Sequence, residues 1–166
     1  TTVRIYNTNT DKIIIEDIKT EDGQVIYDGN FQIAGVSGTA APIRLKFVSP
    51  SGTLGKGLLP TGNVVDILEV PRIGSVPVSI VDATNPLVFV RAKDLGLTGM
   101  ELPDELNMDE EKLCLLEEVR GFAAMKLGLI DDYIKSSWKT PGIPKMTFVS
   151  EAKNYVTSSG KEVKAE

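Results

Sequence analysis

The chain has 166 residues, 42% hydrophobic and 25% charged, and 18 Lys and Arg against 23 Asp and Glu give a net charge of −5; it has apolar surface enough for a core and repels phosphate backbones, so nucleic acid is not an expected partner. With no histidine and one cysteine, Cys114, the chain cannot close an internal disulfide, build an imidazole metal centre, or run Cys/His, Ser-His-Asp or His-based acid–base chemistry without groups from elsewhere. No stretch reaches the roughly 18 uninterrupted apolar residues of a membrane helix and no charged-then-apolar leader opens the sequence, so neither a membrane partner nor an intact secretion signal is expected.

In chain order, the first third reads as antiparallel β. Val3 to Thr8 alternates, Lys12 to Lys19 carries Ile13-Ile14-Ile15, and Gln24 to Asp28 follows. Asp22-Gly23 between the last two supplies the positive φ of a tight hairpin turn. Ile43 to Val48 alternates Ile43, Leu45 and Phe47 against Arg44 and Lys46, a strand with one wet face. Residues 49–63 break every period with four glycines and two prolines and read as a flexible crossing between two units. Gly52 to Gly57 has a phosphate-loop flavour without the Gly-x-x-x-x-Gly-Lys-Ser/Thr spacing.

Beyond the crossing, Val64 to Val70 and Val76 to Ile80 read as strands, and Leu87 to Val90 as a run buried on both faces, separated from its predecessor by the Asn85-Pro86 turn signal. A helix is predicted from about Met108 to Leu127, N-capped by Asn107 and stopped by Gly128, with Leu115, Leu116, Val119, Phe122 and Ala123 facing a sheet and Lys112, Glu117, Glu118 and Arg120 facing solvent. A shorter helix over Asp131 to Trp138 and a strand over Lys145 to Val149 follow, and Tyr155-Val156 reads as an edge. The chain opens inside a strand pattern without an initiator Met and closes just after another, so it is read as an interior piece of something longer.

Few residues look chemical. A reactive thiolate prefers a helix N-terminus or a cationic neighbour, whereas Cys114 sits mid-helix among acidic residues, so a buried structural role is expected. The carboxylate clusters Asp109-Glu110-Glu111 and Glu117-Glu118 read as solvated helix faces. Two polar segments at strand ends, Thr61-Gly62-Asn63 and Asp82-Ala83-Thr84-Asn85-Pro86, are candidates for holding a small anion, with ordinary turn residues as the competing reading.

Leu59-Pro60-Thr61-Gly62-Asn63-Val64-Val65-Asp66, Ile80 to Val90, the Arg120-Gly121-Phe122-Ala123-Ala124-Met125-Lys126 helix end and Asn154 to Lys161, in that order, resemble the PrpF family of 2-methylaconitate cis–trans and 3-methylitaconate Δ-isomerases. The resemblance implies an α+β fold similar to diaminopimelate epimerase, with mixed and antiparallel strands packed on helices. Residues 1–55 are then closing strands of a first lobe and 56–166 the opening part of a second. It implies an isomerase without cofactor or metal, located in the cytoplasm, acting on a small unsaturated di- or tricarboxylate. The other partner implied is the remainder of the parent chain, and homo-oligomerisation is left open.

The family's acid–base Lys and its Cys, in a Gly-Asn-Cys-Gly-Asn motif, fall outside this sequence, so no catalytic residue is expected here and Cys114 does not inherit the role. In epimerase relatives a Gly-Asn-Pro-His turn presents Asn to substrate. Thr84-Asn85-Pro86-Leu87 occupies the similar setting, keeping the amide and replacing Gly and His. Asn85 and Thr84 are therefore the expected substrate-binding residues, with Thr61 and Asn63 as a second pair. A non-catalytic module of the same fold and an epimerase or racemase are the alternatives.

Overall fold

The computed structural model describes residues 1–165. Its opening third is the expected antiparallel sheet: β1 (Thr2–Asn7), β2 (Lys12–Asp17), the short pair β3 (Thr20–Glu21) and β4 (Gln24–Val25), and β5 (Arg44–Val48). β1, β2 and β5 form one sheet in that spatial order, all neighbours antiparallel. The hairpin at Asp22-Gly23 forms as the dipeptide dictates, with φ of 48° and 77° and Glu21 opposite Gln24, the two positive φ values of a turn that matches strand twist. The strand expected over Gln24 to Asp28 stops at Val25. β5 keeps its alternation but neither face is dry, since Leu45 and Phe47 are half exposed.

The larger sheet carries the core. β6 (Asp66–Val70), β7 (Gly74–Ala83), β8 (Asn85–Arg91) and β9 (Lys145–Val149) make a four-stranded sheet in chain order, antiparallel except for the parallel pair β8–β9. A parallel partner needs a long crossover, and the segment between β8 and β9 supplies it with a 3₁₀ turn at Ala92–Leu95, α1 (Pro103–Asn107), α2 (Glu110–Lys126), a second 3₁₀ turn at Tyr133–Lys135 and α3 (Ser136–Lys139). Beyond β9, β10 (Tyr155–Val156) pairs with β11 (Glu162–Val163). One face of the larger sheet, Leu68, Val70, Val76, Val78, Ile80, Val88 and Val90, packs against Leu115, Val119, Ala123 and Leu127 of and just beyond α2. Each such Val or Ile contributes about 1.5–3 kcal/mol by leaving water.

Several expectations change. Leu87 to Val90 is not buried on both faces: Val88 and Val90 are inside while Leu87 and Phe89 are half-buried, because helices cover only one side of the sheet. α2 is capped by Asp109, whose carboxylate accepts from the Lys112 amide at 3.0 Å; Asn107 instead closes the separate turn α1 that Pro103 initiates. Arg120, expected in solvent, is buried. Its guanidinium donates to both Glu117 oxygens and to the Thr140 carbonyl at 2.6 Å each, tying α2 to the loop before β9. Burial pushes the Glu117 carboxyl up, but bonds from Arg120 and Ser136 outweigh it and hold the group below its usual range. Cys114, expected inside, is exposed, because the covered stripe of α2 runs through Leu115, Val119 and Ala123 and turns residue 114 outward.

The crossing at residues 49–63 is not a loose tether. Gly52 and Thr84 amides donate to the Asp82 and Pro50 carbonyls at 3.0 and 2.9 Å, the Asp82 amide donates to Leu58 O at 2.8 Å, and Lys56 Nζ donates to Leu127 O at 2.8 Å at the end of α2. The segment is a strap laid over the β7–β8 turn.

Candidate functional site

Two polar constellations sit where the sequence put candidates. The first is the β7–β8 turn. Ala83 pairs with Asn85, leaving Thr84 alone at the tip with φ of 70°, a value that side-chain-bearing residues seldom adopt. Glycine, without a Cβ, adopts such a φ at no steric cost, whereas a threonine does not. Here the strap holds threonine in it through the Pro50 carbonyl. Asn85 follows, exposed, between the strained residue and buried Pro86. An amide so placed offers two N–H donors to a carboxylate without adding a titrating group.

Beneath the tip lies Asp82, fully buried, accepting from Thr53 Oγ1 at 2.6 Å and from the Leu54 amide at 2.8 Å. Beside it a cleft of about 50 Å³ runs between the two sheets, its polar lining including Asn7, Thr10, Lys12, Thr53 and Thr84. A roomier cavity, about 440 Å³, is lined by Arg91, Lys93, Val149 and Lys153. It lies at the far end of β8 from Asn85, so volume and the candidate donors do not coincide.

The second constellation surrounds Asp66. Thr61 Oγ1 donates to its Oδ2 at 2.6 Å, Asn63 Nδ2 to its Oδ1 at 3.0 Å, and Lys126 Nζ lies 3.4 Å from Oδ1. Burial pushes this carboxyl up, but the Thr61 and Asn63 bonds and the Lys126 ammonium pull harder, and the net displacement is downward. Thr61 and Asn63 thus present these groups to a carboxylate of the chain itself. Asp66 pairs with Val78, five residues down β7 from Ala83, so the cluster lies on the order of 15 Å from the tip. The structure joins Thr84 with Asn85 and Thr61 with Asn63, and keeps the two pairs apart.

Thr53 and Lys12 carry no signal in the sequence, and Asp82 stands there only as the first residue of the candidate segment 82–86, with no role of its own. Asp82 carried a readable signal: in Val76, Val78, Ile80, Asp82 the inward positions of one strand end on an acid, which must then find donors indoors. Among the described residues, no group of three acidic or Cys side chains is placed to hold a metal ion.

Comparison with known proteins agrees with this mixed architecture of sheets and few helices. The chain belongs to the PrpF protein family, whose profile matches residues 1–166. It is 41% identical over 159 residues to 3-methylitaconate isomerase of Eubacterium barkeri, covering 96% of this chain and 42% of that protein. To 2-methyl-aconitate isomerase of Shewanella oneidensis it is 40% identical over 168 residues, covering 99% and 42%, and to (4E)-oxalomesaconate Delta-isomerase of a Novosphingobium strain 34% over 150, covering 90% and 39%. A crystal structure of methylitaconate-delta-isomerase superposes with a TM-score of 0.83 at 40% identity, covering 99% of this chain and 42% of that one. The chain spans about two fifths of the length of these relatives.

Proposed function

We propose that the family-length protein containing this chain is an isomerase, working without a cofactor, that shifts or rotates the double bond of a small unsaturated di- or tricarboxylate. In this reading the fold is similar to that of diaminopimelate epimerase, residues 1–55 close a first lobe and 56–166 open a second, and the enzyme works in the cytoplasm. The separation of the three-stranded from the four-stranded sheet, with the first fully buried residue at Asp66, supports that division.

The observation that carries the reading is an open carboxamide, Asn85, on a turn held rigid by buried hydrogen bonds, in a chain whose relatives bear the names of three such isomerases. The chemistry fits neutral donors. Removing a proton from carbon next to an unsaturated acid delocalises charge toward a carboxylate; returning it at the far end shifts the double bond, and returning it after rotation exchanges cis and trans. Donors fixed in place stabilise that charge without reorganising. Asn85 and Thr84 bind a substrate carboxylate, Thr61 and Asn63 act at second hand by fixing the approach to β6, and the acid–base groups come from the part of the family-length protein outside this chain.

The test is an absorbance assay of the family-length protein with methylaconitate, methylitaconate and oxalomesaconate. Turnover of at least one supports the reading, and no turnover of any overturns it.

A further inference from the structure

We propose that Asp82 is a positioning residue for Asn85: its buried carboxylate fastens the strap to the β7–β8 turn and so fixes the direction in which Asn85 offers its amide. The proposal rests on the reading of Asn85 as a substrate contact.

Asp82 occupies an inward position that continues Val76, Val78 and Ile80, where an aliphatic residue would serve packing. A carboxyl group there is shut off from water, and no ion pair to it forms among the described residues. What it has are two converging donors, the Thr53 hydroxyl at 2.6 Å and the Leu54 amide at 2.8 Å, one to each oxygen. The Leu54 amide can only donate and so demands an acceptor, while the Thr53 hydroxyl could also accept from an amide; asparagine keeps one acceptor and exchanges two charge-assisted bonds for weaker neutral ones.

The main chain of Asp82 is bound to the same strap on both sides, its carbonyl accepting from the Gly52 amide at 3.0 Å and its amide donating to Leu58 O at 2.8 Å. The strap closes tightly on itself, since a Cβ on Gly52 would stand 3.1 Å from Gly57 Cα. Its remaining hold is on the tip, where the Thr84 amide reaches Pro50 O at 2.9 Å and Ser51 bridges to Ala83. Three consecutive residues, Asp82 to Thr84, are therefore set by one seven-residue span from Ser51 to Gly57 and its flanks, and the strained Thr84 stands between that anchor and the Asn85 amide. Loosening the anchor lets Thr84 relax toward ordinary φ, and the peptide plane that aims Asn85 rotates with it.

The experiment is a double-mutant cycle in the family-length enzyme, with KM and kcat measured on whichever of the three unsaturated acids it converts, and backbone amide exchange at Thr84 measured alongside. Asn85→Ala and Asp82→Asn each raise KM about tenfold with kcat changed less than about threefold, and Asp82→Asn adds less than about twofold once Asn85 is gone, because the contact it positions no longer exists. Asp82→Asn also speeds exchange at Thr84. Thr53→Val acts in the same direction more weakly, and Thr53→Ser, which keeps the hydroxyl, restores wild-type KM; this pair carries the test should Asp82→Asn not fold. Multiplicative effects in the cycle, or a Thr53→Val enzyme with wild-type KM and faster Thr84 exchange, overturn the positioning role while leaving Asn85 as a contact. An unchanged KM in Asn85→Ala overturns the contact itself, and the positioning role with it.

Discussion

The two larger sheets, β1–β2–β5 and β6–β9, are built from similar strands but stand in opposite relations to water. In the β6–β9 sheet, every inward side chain of β7 from Val76 to Asp82 is buried, Val76 to Ile80 in the core that α2 closes and Asp82 against the strap. In the β1–β2–β5 sheet no residue is fully buried, and Leu45 and Phe47 are 52% and 49% exposed. Apolar alternation therefore says which residues share a face, while burial depends on whether the chain also contains something to lay on it. The second unit brings its own cover. The first awaits cover from the rest of a family-length protein, on the reading proposed above.

The sharpest way to break this contrast is truncation of one apolar side chain in each sheet. Ile80→Ala is expected to destabilise the 166-residue chain by about 2–5 kcal/mol, and Leu45→Ala by less than about 1 kcal/mol, both by urea unfolding. In the family-length protein the Leu45→Ala effect should grow into the core range. If it stays small there, the first sheet is not covered.

Next in size is the link between α2 and the loop before β9. Arg120→Met leaves the Thr140 carbonyl and the Glu117 carboxylate without their partner and should lower stability by about 1–3 kcal/mol, with amide protection lost first around residues 140–144. Uniform loss of protection across the chain would show that this loop has no separate anchor.

Acid should act on the second unit through its held carboxylates. Backbone bonds from the Thr98 and Gly99 amides, with the Thr98 hydroxyl, bring Glu101 from 4.5 down to about 2, and Asp66 and Glu117 are also lowered. A group whose folded pKa is depressed gives its full stabilisation above its unfolded pKa and loses it as pH falls through the folded value. The urea midpoint should therefore decline between about pH 4.5 and pH 2, and Glu101→Gln should flatten part of that decline. An unchanged slope in the variant would mean the loop does not depend on the carboxylate.

Smallest is Cys114. Exposed on α2, it should react with a thiol reagent without denaturant, and Cys114→Ser should change stability by less than about 0.5 kcal/mol.

Legibility in the sequence follows the same divide between local and non-local causes. The Asp22-Gly23 hairpin and the Gly128 stop are set by backbone preferences of one or two residues and appear where the residues place them, whereas the break expected at Asn85-Pro86 falls at Thr84, with Asn85 and Pro86 already paired in β8. The strap was missed because its order comes from partners far along the chain: Thr53 reaches Asp82 and Lys56 reaches the end of α2, contacts no local pattern encodes. Arg120 was missed for the same reason, its partner Thr140 lying on a later loop. In the candidate site, Asn85 is readable as an amide at a strand end, whereas the acid beneath it lies past Ile80, where the predicted strand stops, and its inward position follows only once β7 runs on to Ala83.

The central claim, that Asn85 offers its amide to a substrate carboxylate, is tested most directly by comparing KM for Asn85→Ala and Asn85→Asp in the family-length enzyme. Loss of the donors should raise KM about tenfold, and replacing them with a negative charge facing a negative substrate should raise it at least a further tenfold. Equal and near-wild-type KM values in both variants would contradict it.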